Sequence, residues 1–521
     1  MRSKQAPVPT TCRNLVLILG DQLDLESSAL QGFDTARDVV LMIEAVEEST
    51  HVWSHKARTA LFLSAMRHYA EALRARDLTV IYRTLDKEAD ASLAAGITAV
   101  VKATRPQRLI VVEPGDRRVE AMLHATCEAL QCPLEVRLDT HFMSSKADFA
   151  RWAGRSKTLR LEFFYREMRR QYRVLMDGDQ PVGGAWNFDA ENRKGFGKAG
   201  PKDVPTTPGF TPDAITKEVI ELVNTRFADH PGKLTHFNWP VTREEALIAL
   251  EDFIIHRLAK FGDHQDAMWT HLPFGWHSLL STSLNLKLLT PREVVLAAER
   301  AYQRGAVSLP TAEGFIRQIL GWREFIRGVY FLDGDTLKNA NHFGHDNKLP
   351  KWYWTGDVHM NCMHQSIEQT LEYGYAHHIQ RLMITGMFGV LAELTPQALC
   401  DWYLAVYVDA VEWVELPNTA GMALFANGGR FTSKPYVASG AYVKRMSNYC
   451  DGCRYKPEQR AGVGACPMTT LYWNFLDRHE KMFAGNPRTA LMIKNLAKMS
   501  DDERAEIRAH AANLLADLDA L

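Results

Sequence analysis

The feature that most restricts how this chain can fold is a change of hydrophobic period along its length. Between Asn14 and about Asp139, short β-rich runs ("LVLILG", "VVLMIE", "LTVIYR", "RLIVVEP", "LEVRLD") alternate with helical stretches, of which "KARTALFLSAMRHYAEALRAR" is the clearest. Near-continuous apolar runs separated by amphipathic helices are what a parallel sheet covered on both faces requires. The first run leads into "GDQLD", which sets a glycine turn and Asp21 at a strand's C-terminal end, where such sheets bind their ligands. No G-x-G-x-x-G is present, so a standard dinucleotide site is not expected in this part of the chain.

From about Asp177 to Pro240 the alternation gives way to "GDQPVGGAWNFDAENRKGFGKAGPKDVPTTPGFTP", whose Gly, Pro and Asn content reads as a long connection. Beyond it nearly every segment has helical spacing with capping residues at its start, as in "TREEALIALEDFIIHRLAKFG", "PREVVLAAERAYQRG" and "AEGFIRQILGWREFIRGVYFL". The expected architecture is an α/β N-terminal domain with a Rossmann-like parallel sheet over residues 13–140, a basic helical and irregular connection over 141–240, and a large all-α domain over 241–521. A chain of 521 residues is long enough to bury more than one core.

The basic start of the chain is interrupted by prolines and its apolar run is too short for a secretory signal. "LMITGMFGVLAEL" is too short to span a bilayer, so a cytoplasmic protein with no membrane partner is expected. A formal net charge of -1 rules out a global basic field, and any contact with nucleic acid must use a local patch. "FFYREMRRQYR" supplies one: Arg166, Arg169, Arg170 and Arg173 stand at three and four spacing on one helical face, with Arg151, Arg155, Lys157 and Arg160 just upstream. Phosphate contacts of this kind give affinity with little sequence preference.

Eight cysteines without a secretory signal point to reduced thiols or metal ligands. Cys12, Cys127, Cys132 and Cys400 have no ligand-like spacing, whereas "NYCDGCRYKPEQRAGVGACPMTT" holds Cys450 and Cys453 as C-x2-C, followed by Cys466 with a proline behind it. Two thiolates two residues apart can reach one centre from a single turn, in zinc and iron-sulfur sites alike. Three thiols leave a ligand to find: Cys362 in "HMNCMHQS", with Cys400 as the fallback and His364 as a further zinc ligand. From spacing alone, structural zinc, a 4Fe-4S cluster and an unmetallated turn all remain open.

Downstream, "EYGYAHHIQRLMITGMF" and "CDWYLAVYVDAVEWVELPN" set adjacent histidines beside a dense aromatic and acidic stretch. Together with "LVLILGDQL", "SAMRHYAEAL", "FFYREMRRQYR", "QPVGGAWNFDAENR", "GFIRQILGWREF", "YWTGDVHMNCM", "KPYVASG", "NYCDGCRY" and "ACP", these stretches run in order from about residue 13 to about 475. In them the chain resembles the prokaryotic iron-sulfur (6-4) photolyases, the bacterial branch of the photolyase/cryptochrome superfamily.

That resemblance implies an α/β antenna domain, a helical domain binding FAD, and a 4Fe-4S cluster on Cys362, Cys450, Cys453 and Cys466 with a structural role. For the flavin it implies Ser278, Leu279, Leu280 and Ser281 at a helix start, Arg317, Gln318 and Arg323 as polar partners, and Asp409 and Glu415 near the ring system. Catalysis would fall to His378 as proton donor, assisted by His377, with Tyr436 in the same pocket. Trp402, Tyr403 and Trp354 match an electron relay to the surface, and Asp21, Glu44, Glu48 and Phe62 match the site of a 6,7-dimethyl-8-ribityllumazine antenna.

The implied activity is light-dependent repair of (6-4) photoproducts in UV-damaged DNA, single- or double-stranded, by a monomer that extracts the lesion from the stack. The alternative is a cryptochrome-like blue-light photoreceptor with a signalling output; the two histidines and the basic helix favour repair. A cluster-bearing DNA glycosylase is a third reading, but its helix-hairpin-helix glycine turn and catalytic acid cannot be located, and it gives the α/β domain no role. One departure from the resemblance is Met387, where close relatives are expected to carry asparagine.

Overall fold

The computed structural model describes residues 10–87 and 90–521; the basic start noted above lies in residues 1–9, outside the described residues. Strands β1 (Asn14–Leu17), β2 (Val39–Ile43), β3 (Val80–Arg83), β4 (Arg108–Val112) and β5 (Leu134–Arg137) form one parallel sheet in the order β3-β2-β1-β4-β5. The strand order reverses between β1 and β4, which opens a crevice at the strands' carboxyl ends.

Side chains alternate across the pleat and sort into two cores. Leu15, Leu17, Leu41, Leu109 and Val111 pack with α2 (Leu93–Thr104) and α3 (Arg117–Ala129) on one face. Val16, Val40, Met42, Ile110 and Val112 pack with α1 (Lys56–Arg74) on the other, in a core that continues unbroken into the helical domain. The sheet is therefore seated on the helices by shared apolar surface.

Between α1 and the helical domain the seam is pinned by His55. Its backbone N–H donates to the Ala405 carbonyl at 2.8 Å, and its Nε2 lies 2.9 Å from the Leu371 carbonyl oxygen. Gly232 closes over this histidine with φ +84°, and a Cβ there would lie 1.8 Å from Nε2, so only glycine fits.

The connection after residue 140 is more structured than its composition suggests. It carries α4 (Leu161–Tyr172) and a helix at Ala214–Arg226 that packs on α1. The Asp213 side chain starts that second helix by accepting from the Thr216 N–H at 2.9 Å. Its sequence, "DAITKEVIELVNTRF", is bounded by prolines and glycines that mask a short amphipathic run.

In the helical domain the expected caps are present: Thr242 with Glu245 and Thr290 with Glu293 each form a reciprocal capping box. Four segments, Phe253–Arg257, Arg317–Arg323, Arg381–Gly386 and Pro417–Ala423, wind as π-helix. Such widened turns inside helices concentrate at functional sites. Among the described residues no helix is long and apolar enough to cross a membrane.

Candidate active site and its flanking cavities

Three of the four π-helical segments converge on a cavity of about 310 Å³. They contribute Gln318, Trp322 and Arg323; Arg381 and Leu382; and Asn418, Met422 and Ala423, while the turn at His277–Ser281 closes another side. In that turn Leu279 holds φ +60°, a left-handed conformation that costs a residue with a Cβ about 1 kcal/mol or more and brings its backbone to the cavity wall.

Of the residues expected around a flavin, Ser278, Leu279, Ser281, Gln318, Arg323, Asp409 and Glu415 line this space, as do His377 and His378. Leu280 and Arg317 do not, which corrects the expectation for both. Leu280 turns into the core at 1% exposure. Arg317 donates to Asp189 at 2.8 Å and is ion-paired with Glu313 at 3.1 Å, both away from the cavity lining. Tyr436 is half-buried outside the lining residues, on a loop tied back by the Ala438 N–H, which donates to the Met387 sulfur at 3.1 Å. Met387 thus anchors the loop that carries Tyr436, a contact the sequence did not reveal.

One cation serves two acids in the cavity wall. Arg381 contacts Asp409 at 2.9 Å and Glu415 at 3.2 Å, and its guanidinium lies 3.7 Å from the Tyr407 ring centroid. Both carboxylates are buried, and a single guanidinium balances one negative charge. Burial pushes Glu415 up to about 8, more than Arg381 pulls it down, with Asp409 adding to the rise. Glu415 is therefore a protonated carboxyl at neutral pH, able to donate a hydrogen bond.

Opposite it stand three histidines. The His277 ring stacks on His377 at 4.3 Å and 14°, and His277 Nε2 and His377 Nδ1 have no protein partner although both are buried. The Arg323 Nε is likewise orphaned on the cavity wall. Orphaned polar atoms around one concave space fit a polar ring system such as a flavin's. His378, unlike buried His377, is exposed to solvent and also lines the cavity. Burial holds His277 at about 3, a neutral imidazole at pH 7, while packed protein together with Arg381 and Arg193 lowers His378 from the ordinary imidazole range, an effect that its exposure to solvent weakens. His277 escaped the sequence reading because a single histidine ahead of a short helix has no spacing to mark it.

Of the three residues expected to form a relay, Tyr403 and Trp402 are in ring contact, and Trp354 is joined to them only through its chain neighbour Tyr353. Tyr403 lines the cavity, its hydroxyl 2.7 Å from the Thr385 hydroxyl, and its ring is 5.5 Å from Trp402. Both lie on α5 (Pro396–Val406). Trp402 does not pack on Trp354 directly: Tyr353 stands between, 5.0 Å from Trp402. Sequence reasoning missed Tyr353 and also Tyr407, which is 5.3 Å from Tyr403.

A second cavity of about 120 Å³ opens at the carboxyl edge of the sheet and is closed by Leu404, Val411 and Glu412 of the helical domain. Asp21, Glu44, Glu48 and Phe62 all line it. Their chemistry differs. Glu44 already accepts from Arg67 at 2.7 and 2.9 Å, from the Tyr82 hydroxyl at 2.9 Å and from the Leu85 N–H at 2.9 Å. Glu48 is bridged twice by Arg118, at 3.0 and 2.8 Å. Asp21 is pushed up to about 6 by burial despite Lys287, which leaves it the most adaptable acid of the wall. Arg58, absent from the sequence reading, adds a buried cation 5.3 Å over Phe62.

The four expected cysteines share one small pocket. Cys362, Cys450, Cys453 and Cys466 line it together, although they come from the start of a helix at Asn361–Tyr373, a loop, and the N-cap of a helix at Pro467–Arg478. A Cβ on Gly440 would lie 3.1 Å from Cys466 Sγ and 2.9 Å from Pro457, so glycine keeps the pocket open. Among the described residues no three His, Cys, Asp or Glu are gathered as a single metal ion would gather them. His364 is turned away, with Nδ1 2.7 Å from the Gly356 carbonyl oxygen, and Cys400 lies elsewhere in the fold.

On α4, Arg170 and Arg173 are exposed and Arg166 is half-buried, paired with Glu162 at 2.7 Å. Arg169 corrects the expectation: it is fully buried and donates to the carbonyls of Val174 at 3.2 Å and Leu175 at 2.6 Å, so it closes the end of its helix and cannot meet a phosphate.

Comparison with known proteins accords with this geometry. A family model described as deoxyribodipyrimidine photo-lyase-related protein matches residues 16–239. A (6-4) photolyase of Agrobacterium fabrum is 48% identical over 510 residues, covering 97% of this chain and 99% of the relative. Among solved structures, a bacterial class III photolyase from Agrobacterium tumefaciens covers 99% of both chains with a TM-score of 0.57 at 14% identity. A cryptochrome from Synechocystis sp. PCC6803 covers 84% of this chain and 89% of its own, with a TM-score of 0.52 at 15% identity. At those identities the structures establish the fold, while the sequence relative establishes the family. The chain belongs to the photolyase/cryptochrome superfamily, on its (6-4) photolyase side.

Proposed function

We propose that this protein is a light-dependent DNA lyase that reverts (6-4) pyrimidine-pyrimidone photoproducts. The observation that carries the reading is the single cavity on which His378, His377 and the Arg381–Asp409–Glu415 triad meet, in a chain nearly half identical to a (6-4) photolyase along almost its whole length. Photolyases and cryptochromes bind FAD, and the orphaned polar atoms and aromatic walls of this cavity fit that group. A flavin held there would supply, once reduced and excited by light, the electron that opens the lesion.

The protein's part is positioning and proton traffic. Glu415, neutral at pH 7, offers a carboxyl donor to the ring system, while Arg381 pairs with Asp409 beside it. His378 opens onto both the cavity and solvent. Its exposed ring, on the edge of the cavity, stands where a lesion drawn out of the stack would enter, which suits a proton donor. Arg166, Arg170 and Arg173 hold the backbone while the lesion leaves the stack.

The four-cysteine pocket suits a 4Fe-4S cluster, whose ligands stand further apart than those of a single ion, and joining three distant segments makes its role structural. The sheet-edge cavity suits a ribityllumazine antenna, with Asp21, Arg58 and Arg118 as polar partners. The test is repair of oligonucleotides carrying either a (6-4) product or a cyclobutane dimer, by photoreduced protein, in blue light and in darkness. Loss of the (6-4) product alone, and only in light, is expected. No repair by protein with confirmed reduced flavin would overturn the proposal.

A further inference from the structure

Beyond Trp354 the aromatic path does not end. Trp53, which belongs to the sheet domain, packs on Trp354 with ring centroids 4.9 Å apart at 51°. Trp53 is 44% exposed, and Trp354 beneath it is half-buried. The series from the cavity outward is Tyr403, Trp402, Tyr353, the adjoining Trp354, and Trp53, with measured ring spacings of 5.5, 5.0 and 4.9 Å on either side of the covalent Tyr353–Trp354 step. The other branch is a dead end: Trp352 stacks on Tyr353 at 4.7 Å but is 2% exposed, and its indole N–H is committed to the Leu518 carbonyl at 2.8 Å.

We propose that Trp53 is the terminal, solvent-facing member of the electron relay, so that the sheet domain supplies the point at which reducing equivalents enter the helical domain. The inference rests on the flavin reading of the cavity. The chemistry balances with two named reactants. The oxidant is light-excited oxidised flavin, which takes one electron from the inner end of the path. The resulting hole moves outward to Trp53, whose indole cation loses its Nε1 proton to water. An external thiol then returns a hydrogen atom to the indole radical, and two of the thiyl radicals so formed couple as a disulfide.

Only an exposed indole can complete that sequence. The Trp402 Nε1–H is shut away from solvent and donates to the Tyr353 carbonyl at 3.0 Å. The geometry is also held in place, because His55, two residues past Trp53, is bolted to Ala405 on the helix that carries Trp402 and Tyr403.

The test compares Trp53→Phe, Trp53→Tyr and Trp402→Phe in holoprotein, by transient absorption of tryptophan radicals and by the initial rate of photoreduction with a thiol. Phenylalanine keeps the stack but cannot be oxidised, whereas tyrosine can. Trp53→Phe is expected to keep normal flavin content and to lower the photoreduction rate several-fold, with a faster-decaying radical signal. Trp53→Tyr recovers part of the rate, which a merely structural role would not produce. Flavin-replete Trp53→Phe protein that photoreduces at the parental rate, while Trp402→Phe is slowed, overturns the proposal. Absence of flavin from the parent protein, visible before any light is applied, would remove the functional reading and this inference with it.

Discussion

Arg381→Met should be among the most damaging single changes in the helical domain. Arg381 is the cation between Asp409 at 2.9 Å and Glu415 at 3.2 Å, and all three side chains are at most 14% exposed. Removing one partner of a buried pair leaves an uncompensated charge, at a cost of about 3–5 kcal/mol. With about 2 °C lost per kcal/mol in a domain of this size, the midpoint falls by roughly 6–10 °C. The assay is the thermal release of flavin fluorescence from holoprotein, read as a midpoint because a chain of two domains need not unfold in one step. The reasoning also fixes a rescue: Arg381→Met with Asp409→Asn removes the carboxylate that would be left without its cation and should be less destabilised than Arg381→Met alone. A shift below about 2 °C, or a double variant no better than the single, would refute it.

Cys453→Ala should lose iron and inorganic sulfide together with the visible absorption of a cluster, and zinc in their place in the parent protein would contradict the cluster assignment. Arg170→Ala should weaken binding to any DNA and lower the salt-dependence slope by about 1. Arg169→Ala should instead destabilise the protein by about 1–3 kcal/mol, because two carbonyls lose their donor, as urea unfolding would register. Glu415 makes stability depend on pH. Its folded value of about 8 lies above the unfolded value of roughly 4.3, so the folded state keeps a proton that the unfolded chain releases. Its contribution to stability therefore falls as pH rises from about 4.3 to about 8. Glu415→Gln should flatten that slope in pH-dependent melts.

What the sequence made legible was whatever a period or a spacing can carry. The parallel sheet follows from apolar runs separated by helices, and the C-x2-C with a distant Cys362 pointed to thiols that the fold does bring to one pocket. Residues whose roles depend on three-dimensional direction were harder to read. Arg169 and Arg170 are neighbours in a basic run, yet one closes a helix end in the core and the other faces solvent. Arg317 has the charge for a flavin partner, but Asp189, in a loop far earlier in the chain, takes it. The π-helical turns that shape the cavity leave no signal in a 3.6-residue pattern, and neither His277 nor Tyr353 stands at a spacing that marks it. Met387 looked like a simple departure, whereas its sulfur anchors the Tyr436 loop.

The central claim is that His378 delivers the proton that makes lesion reversal productive. The most direct measurement is the repair yield per absorbed photon for His378→Ala against the parent protein, on a (6-4) oligonucleotide, with flavin reduction and DNA affinity measured on the same samples. The account predicts that reduced flavin still forms, DNA still binds and electron transfer to the lesion still quenches the flavin, while repaired product falls to the level seen in darkness. Product formed by His378→Ala at the parental yield would contradict it.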